Sequence, residues 1–70
     1  MPQDMEIILN GLKTTVPQGI SVTQLLDLVK EHDLQLIVEC NGKFIFPQEY
    51  ASRIIEAGDK VELINPDFGG

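Results

Sequence analysis

Few residues of this chain could do chemistry. There is one histidine, His32, and one cysteine, Cys40, with eleven carboxylates against five lysines and arginines. A nucleophile needs a base held beside it, and a metal needs several clustered ligands; nothing in the sequence is spaced to give either. His32 falls near the expected end of a helix and reads as a surface residue. Cys40 closes an expected strand beside a turn and reads as a small buried hydrophobe, with no Lys, Arg or His next to it to activate the thiol. The carboxylates show no catalytic pairing and read chiefly as a solubilising surface. That leaves the final pair, Gly69-Gly70. Glycines have no Cβ, so a tail ending in two of them can enter a narrow channel and pass close to a bound nucleotide. Its carboxylate could there be activated as an acyl-adenylate by a partner's ATP. From Pro66 the last five residues reach at most about 17 Å. The plainer alternative is a frayed terminus with small residues.

The elements that would carry this tail follow from the pattern of apolar residues. Met5, Ile7 and Leu9 alternate with Glu6, Ile8 and Asn10, which predicts a strand with Met5, Ile7 and Leu9 inward. Asn10-Gly11 supplies the two positive φ angles of a type I′ hairpin turn, and Leu12 to Val16 is the returning strand. Ser21 and Gln24 have capping-box spacing, with Ile20 and Leu25 placed as a hydrophobic staple. Val22, Leu25, Leu26 and Val29 then form one helical stripe, predicting a helix from Val22 to Glu31 or His32. Leu36 to Cys40, the Asn41-Gly42 turn and Lys43 to Phe46 predict a second hairpin, stopped by Pro47. A short helical turn over Pro47 to Arg53, a Gly58-Asp59 turn and a last strand, Lys60 to Asn65, complete the order. Hairpin, helix, hairpin and strand make an α+β fold, a β-grasp of the ubiquitin type. It would be a mixed sheet of four to five strands with one main helix packed across it. Residues 1–70 are expected to form a single domain, with 66–70 as a flexible C-terminal tail.

Size and charge exclude other classes. Seventy residues bury only about 60% of the surface that the unfolded chain exposes, too little to house both a nucleotide pocket and a substrate pocket. A net charge of −6 repels a phosphate backbone and favours a basic protein partner. Apolar runs stop at three residues, far short of the roughly 20 that a membrane span requires. The first residues have neither a basic start nor an apolar stretch, so they do not read as a secretory signal, and one cysteine gives no internal disulfide. The expected compartment is the cytoplasm, with no nucleic acid and no membrane as partner.

These features in order resemble the ThiS family, the ubiquitin-like sulfur carriers of thiamine biosynthesis. The resemblance runs through Met5 to Gly11 (Met-Glu-Ile-Ile-Leu-Asn-Gly), the helix start Val22 to Leu26, and Asn41-Gly42. Pro47 with Tyr50, Gly58-Asp59 and Gly69-Gly70 complete it. It implies a carrier that is not itself an enzyme and has no cofactor. A ThiF-type activating enzyme would adenylate the Gly70 carboxylate with ATP, and sulfur relayed from a cysteine desulfurase would convert it to a thiocarboxylate. A ThiG-type thiazole synthase would then take the sulfur. A related carrier for molybdopterin or another sulfur metabolite, or a ubiquitin-like protein modifier, are the alternatives. The chain departs from the family pattern in Pro66-Asp67-Phe68 before the glycines, in a longer Asn41–Pro47 segment, and in Gln48.

Pleat parity places Ile8 and Ile64 on the sheet face away from the helix, where neighbouring first and last strands would join them in an apolar docking patch. Register across the second hairpin adds Phe44 and Phe46 to that face. Phe68 is the candidate tail anchor, and Asp59, Glu62 and Asp67 the candidate acidic rim.

Overall fold

The two Asn-Gly turns set the architecture. Asn10 and Gly11 take φ values of 51° and 83°, Asn41 and Gly42 values of 54° and 81°, the conformation that lets two antiparallel strands follow one another without splaying. In the computed structural model, which describes residues 3–66, they join β1 (Asp4–Leu9) to β2 (Leu12–Pro17) and β3 (Ile37–Cys40) to β4 (Lys43–Ile45). The helix α1 (Val22–Leu28) crosses between the hairpins, a 3-10 turn spans Pro47–Glu49, and β5 (Lys60–Ile64) comes last. The five strands form one sheet in the order β2-β1-β5-β3-β4. β5 therefore lies in the middle, parallel to β1 and antiparallel to β3. The expected β-grasp is the fold found.

Both asparagines also grip β5. In a left-handed conformation a residue swings its own carbonyl out of the ladder. Asn10 compensates with its side chain: Oδ1 accepts the Leu63 N–H at 2.8 Å, continuing the β1–β5 ladder one step past its end. Asn41 does the same on the other flank. Its N–H donates to the Lys60 carbonyl at 2.7 Å, and its Oδ1 accepts the Lys60 N–H at 2.9 Å.

The core lies between the sheet and α1. Ile7, Val16, Val22, Leu25, Val38, Ile45, Ile55 and Val61 are fully enclosed. Ser21 caps α1 as expected: its Oγ accepts the Gln24 N–H at 3.1 Å and Gln24 Oε1 accepts the Ser21 N–H at 2.9 Å. The segment after β4 is stitched to the same helix end, with Val22 N–H on the Arg53 carbonyl and Ile55 N–H on the Ile20 carbonyl.

The helix is shorter than its apolar stripe predicts. Lys30 adopts a φ of 61°, and the Glu31 N–H bonds the Leu26 carbonyl while the Lys30 N–H bonds that of Asp27. This paired arrangement is a Schellman stop with lysine in the position glycine usually fills, at a cost of about 1 kcal/mol. Val29 accordingly sits at the cap, and His32 lies in the loop beyond rather than on the helix. The last strand also ends one residue sooner than expected, at Ile64.

Substitution Asn10→Gly isolates the side-chain grip on β5, because glycine accepts the positive φ but has no oxygen to offer Leu63. We expect a loss of about 1 kcal/mol in urea unfolding, despite the more permissive backbone.

Candidate functional site

β5 delivers the chain to Asn65 and Pro66, and the tail candidates follow. Asp67, Phe68, Gly69 and Gly70 lie outside the described residues. The site can therefore be built up to the strand that launches the tail and the surface around it.

On the open face, β5 presents Lys60, Glu62 and Ile64. The register sets their neighbours. Ile8 of β1 stands beside Lys60 on one side and Lys13 of β2 on the other. Glu62 faces Glu39, which in turn faces Phe44, and Ile64 faces Ile37. Continuing the pairing of Val38 with Ile45 brings Phe46 opposite Ile37. Ile8 and Ile64 thus share a face, but they do not form one patch. Ile64 is four residues farther along β5, roughly 13 Å at strand rise, with the glutamate row between them. Parity assigns a face and leaves the register open, which is why the sequence placed them together.

The apolar surface that does form is Ile37, Ile64, Phe44 and Phe46, beside the end of β5. The two phenylalanine rings pack edge to face with centroids 4.7 Å apart, and they remain 46% and 54% exposed. Ile37 was not singled out in the sequence, because it lies inside an apolar run where alternation is hidden. Glu39 was also missed. Its position opposite Glu62 places two like charges side by side, an arrangement that costs stability and concentrates negative potential next to the apolar patch.

Asp59 is not a free rim carboxylate. Its Oδ2 accepts the Glu56 N–H at 2.9 Å and faces Cys40 Sγ at 3.5 Å, and its Oδ1 accepts from Asn41 Nδ2 at 3.0 Å. Burial pushes its carboxyl pKa up, but the Glu56 N–H, the Asn41 amide, the Cys40 thiol and the Arg53 charge outweigh this and hold it below the ordinary aspartate value. The role of this carboxylate is to tie the turn before β5 to the turn after β3. Cys40 lies in the core behind it. Burial, the Asp59 charge and the bond to Asp59 raise its thiol pKa, and Arg53, brought near by the fold, offsets only part of that. A thiol in this setting is a poor nucleophile at neutral pH. His32 is exposed, with Nδ1 3.9 Å from Asp27 Oδ1. Among the described residues no group of three His, Cys, Asp or Glu side chains could hold a metal ion. No described helix is long and apolar enough to cross a membrane.

A five-stranded mixed sheet with the last strand central and one helix across it defines a ubiquitin-like β-grasp protein. Comparison with known proteins narrows the class. The model of the ThiS family matches residues 3–70, and the chain belongs to that family. Among solved structures it is similar to the thiamine biosynthesis protein ThiS of Geobacter metallireducens. The two superpose with a TM-score of 0.82 at 29% sequence identity, over 94% of this chain and 100% of that one. No curated protein sequence matches the chain significantly.

The Asp59 network carries a pH signature. A carboxyl depressed by folding contributes stability that is complete above its unfolded pKa of about 4 and is lost as pH falls through the folded value. Asp59→Ala should cost about 1–2 kcal/mol at pH 7, for the acceptors lost to Glu56 and Asn41. The gap between wild type and variant should narrow in urea titrations repeated below the unfolded pKa. A gap independent of pH would remove the charge from the account.

Proposed function

We propose that this protein is a sulfur carrier in thiamine biosynthesis and that its working group is the carboxylate of Gly70. The observation that carries the reading is the ThiS family match, which runs through Gly69-Gly70 on a β-grasp whose central strand leads directly toward them.

The chemistry asks little of the carrier. A carboxylate is a poor electrophile; joined to AMP at the cost of pyrophosphate release from ATP, it becomes one with a good leaving group. A persulfide sulfur relayed from cysteine then displaces AMP to give an acyl disulfide. A partner's thiol breaks its S–S bond, becoming a disulfide itself, and leaves a thiocarboxylate on Gly70, which is a nucleophile held on a macromolecule. Thiazole synthase consumes that sulfur. ATP, the adenylation machinery and the sulfur relay belong to the partners. The carrier, not itself an enzyme, contributes a carboxylate that reaches into another protein and a surface that places it there. Absence of any Cβ at Gly69 and Gly70 suits passage beside a nucleotide. A buried Cys40 with a raised pKa fits a carrier whose sulfur travels on the tail.

The docking surface in this reading is the Ile37, Ile64, Phe44 and Phe46 patch with the Glu39–Glu62 pair beside it. Aromatic side chains next to a concentrated charge are what an interface centre and rim require. Ile8 lies among lysines and is peripheral to it.

Incubation with a ThiF-type activating enzyme, ATP and a sulfur source should add the mass of one oxygen replaced by sulfur, localised to Gly70 by fragmentation. Extending the chain by one residue past Gly70 should abolish that gain and leave the fold intact. Loading of the extended protein at the normal rate would sink the proposal. Phe46→Ser should lower kcat/KM for adenylation by about tenfold or more, the range of an interface anchor. Ile8→Ser should change it far less.

A further inference from the structure

A second concave surface lies on the helix side of the sheet. The C-terminal half of α1, the loop over residues 31–36 and the 3-10 turn enclose a groove of about 450 Å³, within the roughly 300–1,000 Å³ typical of binding pockets. Its floor and walls are apolar, from Leu26, Leu36, Pro47 and Tyr50. Leu34 stands at its mouth with 98% of its surface exposed. The loop fixes it there: the Leu36 N–H bonds the Asp33 carbonyl at 3.1 Å and Asp33 Oδ1 accepts the Gln35 N–H at 2.9 Å, closing a turn with Leu34 at the tip. An unattended leucine in water is a cost that a polar residue at the same position would avoid.

The rim carries three carboxylates, Asp27, Glu31 and Asp33, with His32 among them, its Nδ1 3.9 Å from Asp27 Oδ1; no lysine or arginine lines it. We propose that this groove is a second docking site, occupied by a short basic segment of a partner protein that inserts a leucine- or phenylalanine-type side chain. The apolar floor takes the inserted side chain, Leu34 closes over it, and the three carboxylates meet flanking lysines or arginines. Charge complementarity selects the occupant: an acidic segment would add like charge to the three carboxylates, and a neutral one would leave their excess negative charge unanswered. Leu36 turns toward the helix side of β3 and Ile37 toward the open face, so the groove and the Ile37–Phe46 patch lie on opposite sides of the same strand. One partner can hold the groove while another holds the patch and the tail.

The test is a titration of the ¹⁵N-labelled protein with two acetylated and amidated peptides, KLFKLR and ELFELE, followed by amide chemical shifts. KLFKLR should give saturable shifts at Leu26, Glu31, Leu34 and Tyr50, with Phe46 and Ile64 unmoved, and ELFELE should give none. Asp27→Lys should weaken KLFKLR by about threefold, as loss of an exposed ion pair does, and Leu34→Ser should weaken it at least as much. Both changes are at exposed positions, and an unchanged far-UV spectrum verifies the fold. Equal binding of the two peptides, no saturable shift, or shifts centred on Phe44 and Phe46 would each overturn the proposal. Gly70 takes no part in this titration, so its outcome is independent of sulfur loading.

Discussion

Every other element of the fold is arranged around a strand that is last in the chain and central in the sheet. β5 has a hairpin on each side, and neither hairpin reaches the other without it. Its N–H groups are satisfied in part by main chain and in part by two asparagine side chains, Asn10 and Asn41, each sitting in a turn that has withdrawn its own carbonyl. Asn10 and Leu63 are 53 residues apart, so the sheet depends on contacts that close most of the chain into a loop. Such contacts are slow to form. The result is position: the residues after Ile64 follow directly on a strand held on both flanks.

Local signals were legible wherever a residue's own chemistry dictates its backbone. The two Asn-Gly turns, the Ser21–Gln24 capping box and the stop at Pro47 all follow from side chains a few residues apart. The end of α1 was not legible, because Lys30 enters a left-handed conformation that nothing about lysine announces. Faces were readable from alternation, so Ile8 and Ile64 were assigned the correct side. Register was not, since it is settled by which residues of distant strands align, and it separates those two while joining Ile64 to Ile37 and Phe46. The Asp59 network shows the same limit. A turn carboxylate that looks like a surface rim becomes a structural tie only when the fold brings Cys40 and Asn41 against it.

Seen together, the described residues offer surfaces rather than reactive groups. Cys40 is enclosed and held protonated by burial and by Asp59. Phe44 and Phe46 leave exposed apolar area on one side of the sheet, with Ile37 and Ile64 half-buried beside them, and Leu34 does so on the other. Glu39 opposite Glu62 sets two like charges side by side next to the first of these surfaces, at some cost in stability. In the function proposed above, a small chain with these surfaces would divide labour with larger proteins that supply the catalysis.

The central place of β5 also has a mechanical meaning. Hydrogen bonds to β1 and β3 run across the strand rather than along it. A pull on the segment beyond Ile64 therefore loads both flanks in shear, and several bonds must stretch together before the strand can slip. An edge strand under the same pull would peel one bond at a time. On the β1 flank the tie nearest the pull is the Leu63 N–H on the Asn10 side chain, so that flank is anchored in a turn from the opposite end of the chain. A pull of this kind would move the whole body before it unravelled the sheet.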